Sequence, residues 1–79
     1  MDRKELEAQV LELVAACYKK DVSTLSMDTT FKEDLAGASV QMVALVSEVE
    51  NELDATVMLA DASACATIGD FVDLVEEEL

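Results

Sequence analysis

A chain of 79 residues has room for a single domain, residues 1–79, around one small core, and that size leaves its stability marginal. Its 52% hydrophobic content is mostly Val, Leu and Ala, with no proline, two glycines and only Tyr18, Phe31 and Phe71 as aromatics, which indicates helices around a lean aliphatic core and argues against a sandwich or barrel. The net charge of −13 repels nucleic-acid phosphates and anionic membrane surfaces and favours basic protein partners.

In chain order, Leu6, Val10, Leu13, Val14 and Cys17 fall on one helical face and predict a first helix over about residues 3 to 19. Asp2 with Glu5 three residues on resembles a capping box, and Lys19 and Lys20 place cations where the helix dipole favours them. The charge is uneven. Residues 1–20 balance four acids with four bases, whereas residues 21–79 hold fourteen acids and one base, Lys32. This self-repulsion is expected to make the fold less stable at low salt.

Residues 20–38 form a long connection rich in Ser, Thr and Asp. A loop of this length needs anchors, and Val22, Leu25, Met27, Phe31 and Leu35 are spaced to serve, with Phe31 and Leu35 placed for one helical turn. A second helix opens near Ser39. Its expected buried stripe is Val40, Val43, Val46, Val49 and Leu53, flanked by Met42 and Leu45, and its acids Glu48, Glu50 and Glu52 are confined to the second half.

Residues 54–67 read as a loop with a short helical turn around Asp61 to Cys65, and Val57, Met58 and Leu59 form an uncharged apolar run. A last helix begins with Thr67 as N-cap and Asp70 three residues later, another box-like pair. Ile68, Phe71, Val72, Val75 and Leu79 line its apolar face, and Glu76, Glu77 and Glu78 at its end oppose the dipole, so its final turn is expected to fray. The fold class is all-α: three main helices, a short third helix and a long first loop, packed as a small four-helix bundle.

Cys17 and Cys65 are too far apart for a redox motif, and without histidine a zinc site lacks its usual ligands. Both are expected to be small buried apolar residues in a reducing compartment. The N-terminus is charged, unlike a secretory signal, and no run approaches membrane-spanning length, so a monomeric cytoplasmic chain with no membrane insertion is expected. No calcium-loop pattern accompanies the acids.

The residue of greatest interest is Ser39. A serine at a helix start is ordinarily a cap whose oxygen accepts a bond from a first-turn N–H. The same position also suits a covalently attached phosphate, because the helix start offers unpaired donors and partial positive charge. The stretch Thr30-Phe31-Lys32-Glu33-Asp34-Leu35-Ala36-Gly37-Ala38-Ser39-Val40 resembles the acyl carrier protein signature, which runs from a Phe through Glu-Asp-Leu-Gly and a small residue to Asp-Ser-Leu. Downstream, Ala66-Thr67-Ile68-Gly69-Asp70-Phe71-Val72 is similar to that family's Thr-Val-Gly-Asp lead-in to its last helix. The resemblance covers nearly the whole chain.

It implies a carrier-protein bundle with 4′-phosphopantetheine on Ser39, transferred from coenzyme A by a separate magnesium-dependent phosphopantetheinyl transferase. It implies an acyl thioester on the terminal thiol and no catalysis by the carrier itself. The implied partners are that transferase and an acyl-loading enzyme, synthase or acyltransferase with a basic or apolar docking surface. Phe31, Met42, Val43, Leu45, Val46 and Ile68 are candidates to line an acyl pocket.

Departures from the pattern bear on partners. The aspartate that precedes the family's serine, and assists the transferase's metal site, is Ala38 here. Gln41 and Ala44 stand where acids are common, and Val57-Met58-Leu59-Ala60 replaces an Ile-Pro-Asp stretch. Rim charges mainly set encounter rate and partner choice. The expectation is therefore a specialised carrier, for lipid, lipopolysaccharide or polyketide-type synthesis, with weak affinity for housekeeping fatty-acid enzymes. Aminoacyl and peptidyl carriers match less well at Gly37-Ala38. The alternative is an unmodified carrier-fold adaptor acting only as a protein-interaction module. For Met58 and Leu59 the expectation is partial burial, with an exposed patch as the competing reading.

Overall fold

A computed structural model of the chain describes residues 2–35 and 39–79, Ser39 by its backbone alone. Four helices follow in order: α1 (Arg3–Tyr18), α2 (Ser39–Leu53), α3 (Leu59–Ser63) and α4 (Ile68–Glu77), with a 3₁₀ turn at Val22–Thr24 in the first connection. α1 packs on α2 and α4, and α3 packs on both α2 and α4. Among the described residues the architecture is all-helical. The only strand-like pairing noted there is an isolated antiparallel bridge between Thr30 and Thr67, so the apolar run 57–59 forms no strand.

α1 buries Leu6, Val10, Val14 and Tyr18, a run of successive four-residue steps, with Leu13 and Cys17 half-buried at its edges. The expected box at its start does not form. Asp2 is the N-cap by backbone, but its side chain makes no capping bond. Asp2 and Glu5 are both exposed, where water competes with an intramolecular bond. The helix ends at Tyr18, and Lys19 closes it in the left-handed conformation (φ 55°, ψ 48°).

α2 departs from the expected stripe. Met42, Leu45, Val49 and Leu53 are buried and Val46 is half-buried, while Val40 is 75% exposed and Val43 47% exposed. The reason is geometric. A three-residue repeat drifts about 60° around an α-helix at each step, so Val40 ends up on the side opposite Val49. Met42, Leu45, Val49 and Leu53 are spaced 3, 4 and 4, which follows the 3.6-residue period.

α3 starts two residues earlier than expected. Val57 before it and Ala62 within it are buried, but Met58 is 66% exposed and Leu59 42% exposed, which overturns the expectation of partial burial for this pair. α4 buries Ile68, Phe71, Val72 and Val75. Leu79 lies beyond the helix and is exposed, so it does not continue the face. Both cysteines are half-buried and free, not fully buried as expected.

The long loop is held at several points. Phe31 sits between Tyr18 and Phe71, with ring centroids 6.0 and 6.1 Å away, and so ties the loop to the end of α1 and the middle of α4. Phe31 and Leu35 are buried, Leu25 and Met27 pack at the core edge, and Val22 is an exposed exception among the five expected anchors. Residues 31–34 form a turn and not a helix. The polar loop residues satisfy one another locally. Asp21 accepts from the Ser23 amide (3.0 Å) and hydroxyl (2.9 Å), and the Ser26 amide donates to Thr29 Oγ1 (2.8 Å). Among the described residues, no buried side-chain polar atom lacks a partner.

Candidate functional site

The two signature stretches meet in space. The Phe31 amide donates to the Ala66 carbonyl (3.1 Å), the Ile68 amide to Thr29 O (2.9 Å) and the Gly69 amide to Met27 O (2.8 Å). Each stretch also carries its own reciprocal polar clasp. The Thr30 amide donates to Asp34 Oδ2 (2.9 Å) and the Asp34 amide to Thr30 Oγ1 (3.1 Å). In α4 the Asp70 amide donates to Thr67 Oγ1 (3.1 Å), while the Thr67 amide donates to Asp70 Oδ2 (3.3 Å), which completes the expected capping box. Asp34, read in sequence only as part of a signature, therefore serves as a turn-forming residue. The signal available in the sequence was the Thr30–Asp34 spacing, which offers an acceptor to an amide at each end.

Ser39 opens α2. Four residues before it Leu35 is buried, and three residues after it Met42 is buried. Val40 beside it is largely exposed, which puts the first turn at the surface. Ala36, Gly37 and Ala38 lie outside the described residues, so the expectation attached to Ala38 has no structural counterpart here.

The first turn of α2 contains no carboxylate and begins a fifteen-residue helix, which suits a phosphate esterified at its first residue. The start of α4 is unsuited to the same role. Its amides at Ile68, Gly69 and Asp70 are already committed to Thr29 O, Met27 O and Thr67 Oγ1, and Asp70 adds a negative charge. A phosphopantetheine arm therefore fits the residues present at α2.

Along α2 the outward residues Val40, Val43, Ala44, Ser47, Glu48 and Asn51 follow helical spacing, and Glu48 is the first charge met. Gln41 is half-buried. Most of the expected pocket residues contribute to packing. Phe31, Met42, Leu45 and Ile68 are packed in the core, Val46 lies half-buried at its edge, and Val43 faces solvent.

Two clefts lie elsewhere. One of about 260 Å³ runs between α3 and α4 and is lined by Asp61, Cys65, Asp70, Asp73, Leu74 and Glu77 among others. Another of about 270 Å³ lies between the signature loop and the residues after α3, lined by Thr30, Lys32, Glu33 and residues 63–66.

Neither cysteine is poised as a nucleophile. Burial, and then the charges of Asp70, Asp61 and Asp73, push the Cys65 thiol up from its ordinary value. Burial and then Glu48 do the same to Cys17. Both thiols stay protonated near neutrality, and the thiolate is the reactive form. Among the described residues, no three His, Cys, Asp or Glu side chains are grouped to hold a metal ion. No described helix is long and apolar enough to cross a membrane.

A family model described as a phosphopantetheine attachment site matches residues 8–75. The chain is 34% identical over 79 residues to an acyl carrier protein of an Exiguobacterium species (strain AT1b), with both chains covered in full. It is 28% identical, over the same full length, to an acyl carrier protein of Exiguobacterium sibiricum.

Proposed function

The chain belongs to the acyl carrier protein family, whose members are non-catalytic carriers bearing covalent 4′-phosphopantetheine, and from that premise we propose that Ser39 is the residue that carries the arm. The observation that supports the assignment is the position of Ser39 as the first residue of α2, four residues after the buried Leu35 and beside the exposed Val40. In the modification, the Ser39 hydroxyl oxygen forms a phosphodiester with the pantetheine-bearing phosphate of coenzyme A. The pyrophosphate bond breaks, and adenosine 3′,5′-bisphosphate departs. The arm supplies a terminal thiol that holds an acyl group as a thioester. The chain's own contribution is placement. The start of α2 anchors one end of a flexible tether, so a single cargo reaches several active sites at high effective concentration.

Residues 1–79 act as one carrier domain, monomeric and cytoplasmic, serving a phosphopantetheinyl transferase and acyl-handling enzymes. The role is specialised, in lipid, lipopolysaccharide or polyketide-type synthesis, and distinct from the housekeeping fatty-acid carrier. Support for this comes from the neutral residues Ala38, Gln41 and Ala44 around Ser39, which leave the start of α2 without the acids a basic partner would read.

Mass spectrometry of protein co-expressed with a transferase tests the assignment. One added prosthetic group is expected, lost in Ser39→Ala. A chain left unmodified by several transferases would overturn it and leave the carrier fold as a protein-interaction module. The triple variant Ala38→Asp, Gln41→Asp, Ala44→Glu is expected to raise turnover by a housekeeping transferase. Unchanged turnover would count against the reading of those positions.

A further inference from the structure

We propose that the cargo of this carrier is a short, neutral acyl group bearing a hydroxyl or a second carbonyl, sheltered in the cleft between the signature loop and the residues after α3. The proposal rests on the carrier reading of Ser39 and names the substrate class that the reading leaves open.

The apolar side chains that would sheathe a long aliphatic chain are occupied in the core. Leu45 and Ile68 are fully buried, Phe31 and Met42 nearly so, and the Phe31 ring lies between Tyr18 and Phe71. Opening a channel among them breaks contacts in a close-packed interior. The cleft of about 270 Å³ needs no such opening, and its lining is mixed. Thr30 and Ser63 bring hydroxyls, Cys65 a thiol, Lys32 an ammonium group and Glu33 a carboxylate, with alanine methyls between them. Thr30 Oγ1 accepts from the Asp34 amide (3.1 Å), which leaves the hydroxyl proton to donate. Lys32 is the single base in residues 21–79, and it stands at this cleft. A cargo hydroxyl or carbonyl finds both donors and an acceptor here, whereas a saturated chain displaces water from polar groups and returns no hydrogen bond to them.

Size sets the length of the cargo. At roughly 30 Å³ for a water-sized group, the cleft holds about nine such groups, which a hydroxybutyryl thioester fits and a dodecanoyl chain exceeds. Charge argues against an ionised cargo: a carboxylate meets Glu33 and the net charge of −13, and an ammonium group meets Lys32. The other cleft is less suited, because Asp61, Asp70, Asp73 and Glu77 line it with charge that repels a phosphate-bearing arm. Reach is of the right order. Glu33 is six residues before Ser39, so their Cα atoms are at most about 22 Å apart, and an extended phosphopantetheine arm of about fourteen bonds spans roughly 16 Å before the cargo is added.

The test loads the chain from acyl-coenzyme A donors with a broad-specificity phosphopantetheinyl transferase, giving 3-hydroxybutyryl, butyryl and dodecanoyl forms. Cleavage of each thioester by hydroxylamine is timed and divided by the rate for the same acyl group on free pantetheine, which removes intrinsic reactivity. The expected result is cleavage slowed about threefold for 3-hydroxybutyryl, as for a cargo sheltered roughly two-thirds of the time, and less than about 1.5-fold for the other two. NMR amide shifts on loading should fall on residues 30–33 and 63–66, which border the cleft. The double variant Lys32→Gln, Ser63→Ala, at two exposed positions, should lose the protection with its melting temperature and loading unchanged. Equal protection of all three acyl groups, or greatest protection of dodecanoyl with shifts at Leu45 and Ile68, would overturn the cargo class while leaving Ser39 as the attachment site. Protection that survives in the folded double variant would overturn the cleft as its place. Failure to load wild type at all would overturn the carrier reading first, and the cargo with it.

Discussion

The guanidinium of Arg3 donates to Asp73 at 2.7 Å, joining the first turn of α1 to α4, and the same side chain also holds Glu7 at 2.9 Å and Glu76 at 3.0 Å. Hydrogen bonding to Glu7 and then to Asp73 raises its already high pKa further. An exposed ion pair contributes little on its own. Here one cation separates three carboxylates in a chain of net charge −13, so its removal leaves a repulsive cluster between two packed helices. Arg3→Gln is expected to lower the melting temperature by a few degrees at low salt, with the gap to wild type narrowing as salt is added. Wild type itself is expected to gain stability with salt, since screening relieves more repulsion than attraction. Thermal melts that fall as salt rises would contradict both statements.

The capping box of α4 yields a sharper magnitude. Thr67 Oγ1 accepts from the Asp70 amide, and losing such a cap costs about 1 kcal/mol, which for a domain of this size is roughly 5 °C. Thr67→Ala should show that fall and Thr67→Ser should recover most of it. An unchanged melt for Thr67→Ala would mean that water replaces the cap without loss.

Gly69 makes the opposite case to helix propensity. Replacing glycine by alanine inside a helix ordinarily stabilises by up to about 1 kcal/mol. A Cβ at position 69, however, would stand 3.0 Å from the Met27 carbonyl oxygen, the same atom that accepts the Gly69 amide at 2.8 Å. That oxygen is backbone and cannot move aside without disturbing the loop-to-α4 staple. Gly69→Ala is therefore expected to destabilise. A raised melting temperature would show the staple to be soft.

The helix order, the Leu6, Val10 and Val14 face of α1, the α4 cap and the place of Ser39 at the head of α2 are all legible in the sequence, because each rests on local periodicity or on a spacing of three residues, whereas the burial of Tyr18 is not expected. What fails, besides the exposed Asp2–Glu5 box and the α2 stripe, depends on the partner element. In α2 the error is one of period: Val40 and Val43 follow a three-residue repeat that drifts off the buried face, whereas Met42 lies on the 3.6-residue stripe with Leu45, Val49 and Leu53. Met58 and Leu59 sit beside the buried Val57 in one apolar run, and the sequence does not say which of the three meets the core. The contacts between the loop at 27–31 and residues 66–69 are bonds between backbone groups, which every residue carries, so no side chain announces them. For the same reason Asp34 reads as a motif letter until Thr30 is seen beside it.

Lys19 closes α1 with a positive φ, a conformation in which a side chain is strained and glycine is not. Lys19→Gly is expected to stabilise by up to about 1 kcal/mol, measured by urea denaturation with an unchanged slope. Loss of stability would assign Lys19 an unseen contact that outweighs its backbone strain.

The thiols and the one tyrosine set an alkaline limit. Cys17 and Cys65 are raised from an ordinary 9.0 and Tyr18 from 10.0, in each case chiefly by burial. A group whose pKa is higher in the folded chain than in the unfolded one binds its proton more tightly when folded. Its contribution to stability is complete below the unfolded value and is lost as pH rises through the folded value. The window therefore opens near pH 9 for the cysteines and near pH 10 for the tyrosine. Melting temperature should fall across it more steeply than in Cys17→Ala, Cys65→Ala, where only the Tyr18 contribution remains. Near pH 8 a soluble disulfide reagent should react with both thiols more slowly than with free cysteine, because the protonated form predominates, and denaturation in urea should remove the difference. Equal rates before and after unfolding would show that burial and the neighbouring Asp70, Asp61 and Asp73 do not hold the Cys65 thiol neutral.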